Sequence, residues 1–136
     1  MNKILGVVVI ALALAIAITP QFLNCEAHGH TLTLANGATT PMRCYWSARA
    51  EIATGAPLIG IGVMMLFVRR KESLGYLGAL GTILSIFVLL IPTVLIGTCR
   101  SMMVCNTVMK PSLMLFGSLI GVTCVAGMAL SFWKKE

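Results

Sequence analysis

Two polar stretches hold most of the side chains in this sequence that could do chemistry. The later one, residues 99–111, packs Cys99, Met102, Met103, Cys105 and Met109 into a short break between apolar runs. The earlier one, residues 25–46, carries a matching set: Cys25, His28, His30, Met42 and Cys44. Thiolate and thioether sulfur select Cu(I), and imidazole can join them. His28, His30, Met42, Met102, Met103 and Met109 therefore form a candidate ligand pool for copper, or for haem through a histidine or methionine. A competing chemistry uses the same cysteines as disulfides. Cys25, Cys44, Cys99 and Cys105 allow three pairings. Loop closure costs least for the local pattern, Cys25 with Cys44 and Cys99 with Cys105, and the two crossed patterns remain open. Paired cysteines are staples, not thiolate ligands, and stapling is the reading adopted here. Thiol–disulfide exchange is a third chemistry. The chain has a Cys-x5-Cys spacing at Cys99 and Cys105 and lacks the Cys-x-x-Cys of membrane thiol oxidoreductases.

The elements that carry these stretches are membrane helices. The chain has 136 residues, of which 58% are hydrophobic and 10% charged, with mean hydropathy +0.96. A soluble domain would carry roughly 25% charged residues, so the apolar excess is surface that meets lipid. Four apolar runs, approximately 4–22, 47–68, 73–97 and 112–133, each match the ~20 residues that cross a ~30 Å hydrocarbon core. The first reads as a retained signal-anchor helix, with the whole chain forming one membrane domain. Thr31, Leu32, Thr33 and Leu34 alternate ahead of Asn36-Gly37, which predicts a short hairpin. Ser47 is the expected N-cap of the second helix. Cys124, in the fourth run, is expected to be a small packing residue.

The net charge of +6 does not make a nucleic-acid surface, because the basic residues punctuate the apolar runs singly or in short turns. Lys3, Arg69, Arg70, Lys71, Lys134 and Lys135 share the side of the termini, and Arg43, Arg49, Arg100 and Lys110 share the other. The positive-inside rule then puts both termini in the cytoplasm and both Cys/Met loops outside. Disulfides persist in such an oxidising compartment. Arg49 and Glu51 are expected near the outer interface, snorkelling or tying the loops together through Arg100, with no charge buried in mid-membrane. Gly55 and Gly60, the every-third-residue stripe Gly75, Gly78 and Gly81, and the GxxxG pair Gly117 and Gly121 are small surfaces for packing the bundle and a partner helix.

The residues Met42-Arg43-Cys44-Tyr45-Trp46-Ser47-Ala48-Arg49-Ala50-Glu51, followed by Gly55, resemble the Met-x-Cys-x-Trp-Thr/Ser-Ala-x-x-Glu signature of the DUF4418 family of small bacterial four-helix membrane proteins. Ile91-Pro92, Ile96-Gly97-Thr98-Cys99, Met103, Cys105 and Pro111 extend the resemblance over most of the chain. Tyr45 stands where that pattern often carries histidine, so no imidazole role carries over to it. The family has no assigned activity. The resemblance implies an association with MacB-like ABC transporters.

The expectation is therefore an all-α membrane protein: a four-transmembrane-helix bundle with an extracytoplasmic, disulfide-stapled loop cap, in the bacterial cell membrane. No nucleotide loop, catalytic triad or paired catalytic carboxylates can be read, so the expected role is non-enzymatic. It is an accessory subunit of a membrane complex, with an ABC transporter permease as partner and no cofactor required. A copper- or haem-binding membrane protein and a thiol–disulfide oxidoreductase are the alternatives.

Overall fold

The computed structural model describes residues 2–23, 29, 31–97 and 105–133, with the backbone alone for Asn2 and Cys105. Four long helices dominate it. Helix α1 covers Asn2–Leu23 and α2 covers Arg43–Phe67. Helix α3, Lys71–Leu90, runs directly into a π-helical turn at Ile91–Leu95. A second π-helical turn, Cys105–Met109, leads into α4, Lys110–Trp133. Each of the four is long and apolar enough to cross a membrane, and no more than 33% of any span is buried inside the bundle. The remainder is an apolar exterior suited to lipid. This is a multi-pass, all-α membrane architecture.

Local sequence explains where the elements stop. The amide of Val68 closes α2 on the Met64 carbonyl at 3.0 Å, and three residues later α3 begins. Pro92 has no amide to give the carbonyl four residues back, so the regular ladder of α3 cannot continue through it. The chain widens into the π turn instead. The turn closes with the Ile96 and Gly97 amides both donating to the Ile91 carbonyl, at 3.1 and 3.2 Å, and Gly97, with a positive φ of 75°, then redirects the chain. The expected hairpin is present as β1 (Leu32–Thr33) and β2 (Thr39–Thr40), antiparallel, with Leu32 opposite Thr40. It is exposed and adds nothing to the core.

The bundle is two tight antiparallel pairs, α1 with α2 and α3 with α4; α1 also packs on α4, and the α2–α3 seam is the thinnest. Glycines set the close approaches. A Cβ on Gly6 would lie 2.9 Å from the Gly62 carbonyl oxygen, and one on Gly62 would lie 2.6 Å from the Ile10 side chain. A Cβ on Gly78 would lie 2.8 Å from the Cys124 carbonyl oxygen, and one on Gly81 would lie 2.5 Å from the Cys124 Sγ. Between these contacts sits an apolar core that includes Val9, Ile16, Leu58, Met65, Val88 and Ile120.

One boundary expectation changes. Helix α2 starts at Arg43, with Met42 as its N-cap, so Ser47 is a buried residue inside the helix and not its cap. The apolar pattern of the span begins only near residue 47, but four more polar and aromatic residues continue the same helix. Pro57 does not interrupt α2; it lies on the exposed face, and the helix runs through to Phe67.

Candidate functional site

The bundle has two unlike ends. The terminal end carries the start of α1, the α2–α3 turn and the end of α4. The loop end carries the two long connections and both π turns. At the loop end, α2 buries Cys44, Ser47, Ala48, Glu51 and Gly55 in succession. These recur three or four residues apart, so they form one stripe facing the neighbouring helices. Glu51, Ser47 and Cys44 are each 0% exposed.

The stripe is polar where the rest of the interior is apolar. Elsewhere in the helices, hydroxyl groups are satisfied by main-chain carbonyls. Thr82 donates to Gly78 at 2.8 Å, Ser85 to Thr82 at 2.7 Å, Ser118 to Leu115 at 2.8 Å and Thr123 to Ile120 at 2.8 Å. Ser131 crosses between helices to the Lys71 carbonyl at 2.6 Å. Among the described residues, three buried side-chain polar atoms have no hydrogen-bond partner: Ser47 Oγ and both carboxyl oxygens of Glu51. All three lie on this one stripe.

Opposite it, α1 and α3 carry prolines and the regular helix gives way to π turns. The register of α1 on α2, with Gly55 against Ala13 and Ala17, brings the buried Pro20 to the level of Glu51. The register of α2 on α3, with Gly81 near Ile61, brings Ile91 and the buried Pro92 to the same level. The π turn Ile91–Leu95 packs on α2, and the π turn Cys105–Met109 packs on α1 and α4. Met109 and Leu113 are buried there. Single π turns inside α-helices are frequent at functional sites.

The position of Glu51 corrects the expectation of an interface charge with nothing buried in the span. Its side chain points into the bundle about two turns inside α2. Arg49, two residues earlier, does behave as an interface residue. Its Nε and one terminal nitrogen donate to the Tyr45 hydroxyl at 3.2 and 3.0 Å, and its guanidinium lies 5.3 Å from the Tyr45 ring centre. Trp46 meets Tyr45 edge-on at 5.7 Å and is exposed, as an aromatic belt residue would be. The sequence contained a signal for the inward face of Glu51: Cys44, Ser47, Glu51, Gly55 and Leu58 follow helical spacing.

The soft-ligand pool is placed only in part. Cys25, His28, His30, Cys99, Arg100, Met102 and Met103 lie outside the described residues, as does the side chain of Cys105. Met42 is half-buried at the start of α2, and Cys44 and Met109 are fully buried at the loop end. Among the described residues there is no group of three or more His, Cys, Asp or Glu side chains able to hold a metal, and no disulfide is formed. Cys124 is buried in the core, where its sulfur fills the space left by Gly81.

Most of the predicted packing glycines are spent inside the bundle. Gly55 meets α1, Gly75, Gly78 and Gly81 meet α4, and Gly117 and Gly121 meet Leu89, Val88 and Ser85 of α3. Gly60 is different: a Cβ there would meet nothing within 4 Å. Gly62, which the sequence offers with Gly55 and Gly60 as a small packing surface, meets Gly6 and Ile10 at the tightest approach of α1 to α2; Gly6, isolated in the first apolar run, was not expected there.

Four lipid-facing helices in two glycine-sealed pairs, with a buried acid at one end, define a compact polytopic membrane protein. The chain belongs to the DUF4418 family, a domain of unknown function whose model matches residues 4–131. No curated protein and no solved structure matches it.

Proposed function

We propose that this protein is a non-enzymatic interaction subunit of a larger membrane complex, with the permease of a MacB-like ABC transporter as the partner class that the family resemblance implies. In this reading it sits in a bacterial cell membrane. Lys3, the Arg69-Arg70-Lys71 turn and the Lys134-Lys135 end face the cytoplasm, and the two long connections face outward.

The observation that supports it is an open small-residue face on α2. Ala56, Pro57 and Gly60 are exposed on α2, and Ala56 and Gly60 make a small-xxx-small pair whose glycine has open space beyond it. Such pairs let a second helix approach closely in lipid. Two turns on, the same face enters a shallow groove of about 490 Å³ along the thin α2–α3 seam, lined by Val63, Met64, Phe67, Tyr76 and Leu80. A bundle that packs most of its helix glycines against neighbouring helices and leaves Gly60 open is suited to receive a transmembrane helix.

The test is native co-purification in mild detergent with the candidate permease, comparing wild type with Gly60→Leu. The open surroundings of Gly60 leave the bundle itself intact, so the variant stays monodisperse and loses the partner. Equal recovery of the permease with both proteins, or with neither, rejects this face as the docking surface.

A further inference from the structure

We infer that the Ser47–Glu51 stripe is a binding site for a small monovalent metal cation, of the sodium type, held inside the bundle at the loop end. The inference is independent of the partner reading above. It rests on an imbalance between hydrogen-bond acceptors and donors.

The three buried oxygen atoms that lack partners, Ser47 Oγ and Glu51 Oε1 and Oε2, stand on adjacent turns of one helix face. Two of them can only accept when the acid is ionised, and the hydroxyl oxygen keeps acceptor capacity. The main chain around them is short of donors as well. Pro20 and Pro92, both buried at this level, remove the amides that the carbonyls of Ile16 and Val88 would ordinarily receive. The site is thus rich in acceptors and poor in donors, an environment that a bound cation satisfies. Main-chain carbonyls freed from the helix ladder are a recognised source of ligands for an alkali cation in a membrane protein.

The described basic groups do not fill that role. Arg49 is committed to Tyr45, Arg43 is exposed, and neither carboxyl oxygen of Glu51 receives a hydrogen bond from any described residue. The donors are hard oxygens, which suit alkali and alkaline-earth ions and not copper or zinc. The His/Cys/Asp/Glu cluster that a transition metal would need is absent among the described residues. Charge selects between the hard ions. The chain has four acidic residues, and of Glu26, Glu51, Glu72 and Glu136 only Glu51 lies within a membrane-spanning helix at this end; Glu72 is in the first turn of α3, at the opposite end. One carboxylate is neutralised by one monovalent ion, whereas a divalent ion would leave net charge buried. The occupant is also small, because Ser47 and Glu51 are both fully buried.

The experiment is thermal unfolding of the full-length protein in lipid nanodiscs, with sodium chloride exchanged against choline chloride at constant ionic strength. A ligand that binds only the folded state raises Tm along a saturable curve. Sodium at about 100-fold its dissociation constant is expected to raise Tm by roughly 5–10 °C, while choline does not. Glu51→Gln, a neutral isostere, abolishes the sodium response, and Ser47→Ala shifts its midpoint about tenfold. Coincident sodium and choline curves for the wild type overturn the site. So does a sodium response that survives Glu51→Gln. A third overturning result is a wild type indifferent to sodium whose Arg100→Gln variant becomes sodium-responsive, because that outcome makes the loop arginine the native counter-charge.

Discussion

The terminal half of the bundle and its loop end are built from the same four helices by different rules. Toward the termini, glycines let α1 approach α2 and α3 approach α4 until backbones nearly touch, and the Ser131 hydroxyl is satisfied by the Lys71 carbonyl. Gly6 against Gly62 and Gly78 against Cys124 are contacts that a single methyl would disturb. Toward the loops the helices carry prolines, widen into π turns and enclose an acid and a hydroxyl without donors. The difference assigns separate work to the two regions. Packing at one end holds the bundle together, and the other end keeps a polar feature that packing alone would select against.

The largest effect that tests this division is expected at Gly78. A Cβ there approaches the Cys124 carbonyl oxygen at 2.8 Å and the Met128 nitrogen at 3.3 Å, and neither backbone atom can swing aside. Gly78→Leu must part α3 from α4, at a cost of about 3 kcal/mol, read as a drop in thermal unfolding temperature in detergent. A variant as stable as wild type would show that the α3–α4 seam is not close-packed.

Glu51 comes next, with the opposite sign. An unsatisfied buried polar group costs roughly 1–3 kcal/mol. Glu51→Met fills a similar volume without that penalty, so in sodium-free buffer it is expected to be more stable than wild type by about that amount. Destabilisation of the same size would mean that the carboxyl is already well partnered, and the contrast between the two ends would disappear.

How much of this was legible in the sequence divides along the same line. The four spans, the hairpin at Asn36-Gly37 and the small stripe Gly75, Gly78 and Gly81 follow from composition and local periodicity, which depend on neighbours in the chain. The inward face of Glu51 depends on rotation of α2 about its axis, and that is fixed by contacts with α1 and α3. Its flanking residues misled: Arg49 and Trp46 are exposed side chains, and proximity in sequence suggested the same for Glu51. A helical wheel through Cys44, Ser47, Glu51, Gly55 and Leu58 contained the answer. The extension of α2 back to Arg43 was hidden because polar and aromatic residues do not continue the apolar signal, although they continue the helix. The π turns have no local sequence signature beyond Pro92 and Pro111.

A coupled pair gives the third prediction. Gly81→Ala puts a methyl 2.5 Å from the Cys124 Sγ, while the Cys124 Cβ stays at an ordinary 3.5 Å. The single variant is expected to lose about 1–2 kcal/mol. Cys124→Ala alone should lose about 1 kcal/mol through the small cavity it leaves. Together, the new methyl occupies the space the sulfur vacated, so the double variant should be more stable than the sum of the singles by at least about 1 kcal/mol. Strict additivity would mean that the two residues do not share one packing space.

The smallest effect belongs to the loop-end interface, and it separates the buried charge from the exposed one. Arg49 both donates to the Tyr45 hydroxyl and lies against the Tyr45 ring. Tyr45→Phe removes the acceptor and keeps the ring, so it should change stability by no more than about 0.5 kcal/mol. Arg49→Ala removes both contacts, and a solvent-accessible cation–π pair adds only about 0.5–1 kcal/mol. The two variants, measured against Glu51→Met in the same nanodiscs, should therefore fall close to wild type and on its destabilised side. If Tyr45→Phe instead costs more than about 1 kcal/mol, the Arg49–Tyr45 bond is shielded from water. Arg49 would then belong with Glu51 to a polar layer that extends to the surface of the bundle, and the loop end would be one continuous charged structure in place of a buried acid beneath an ordinary interface.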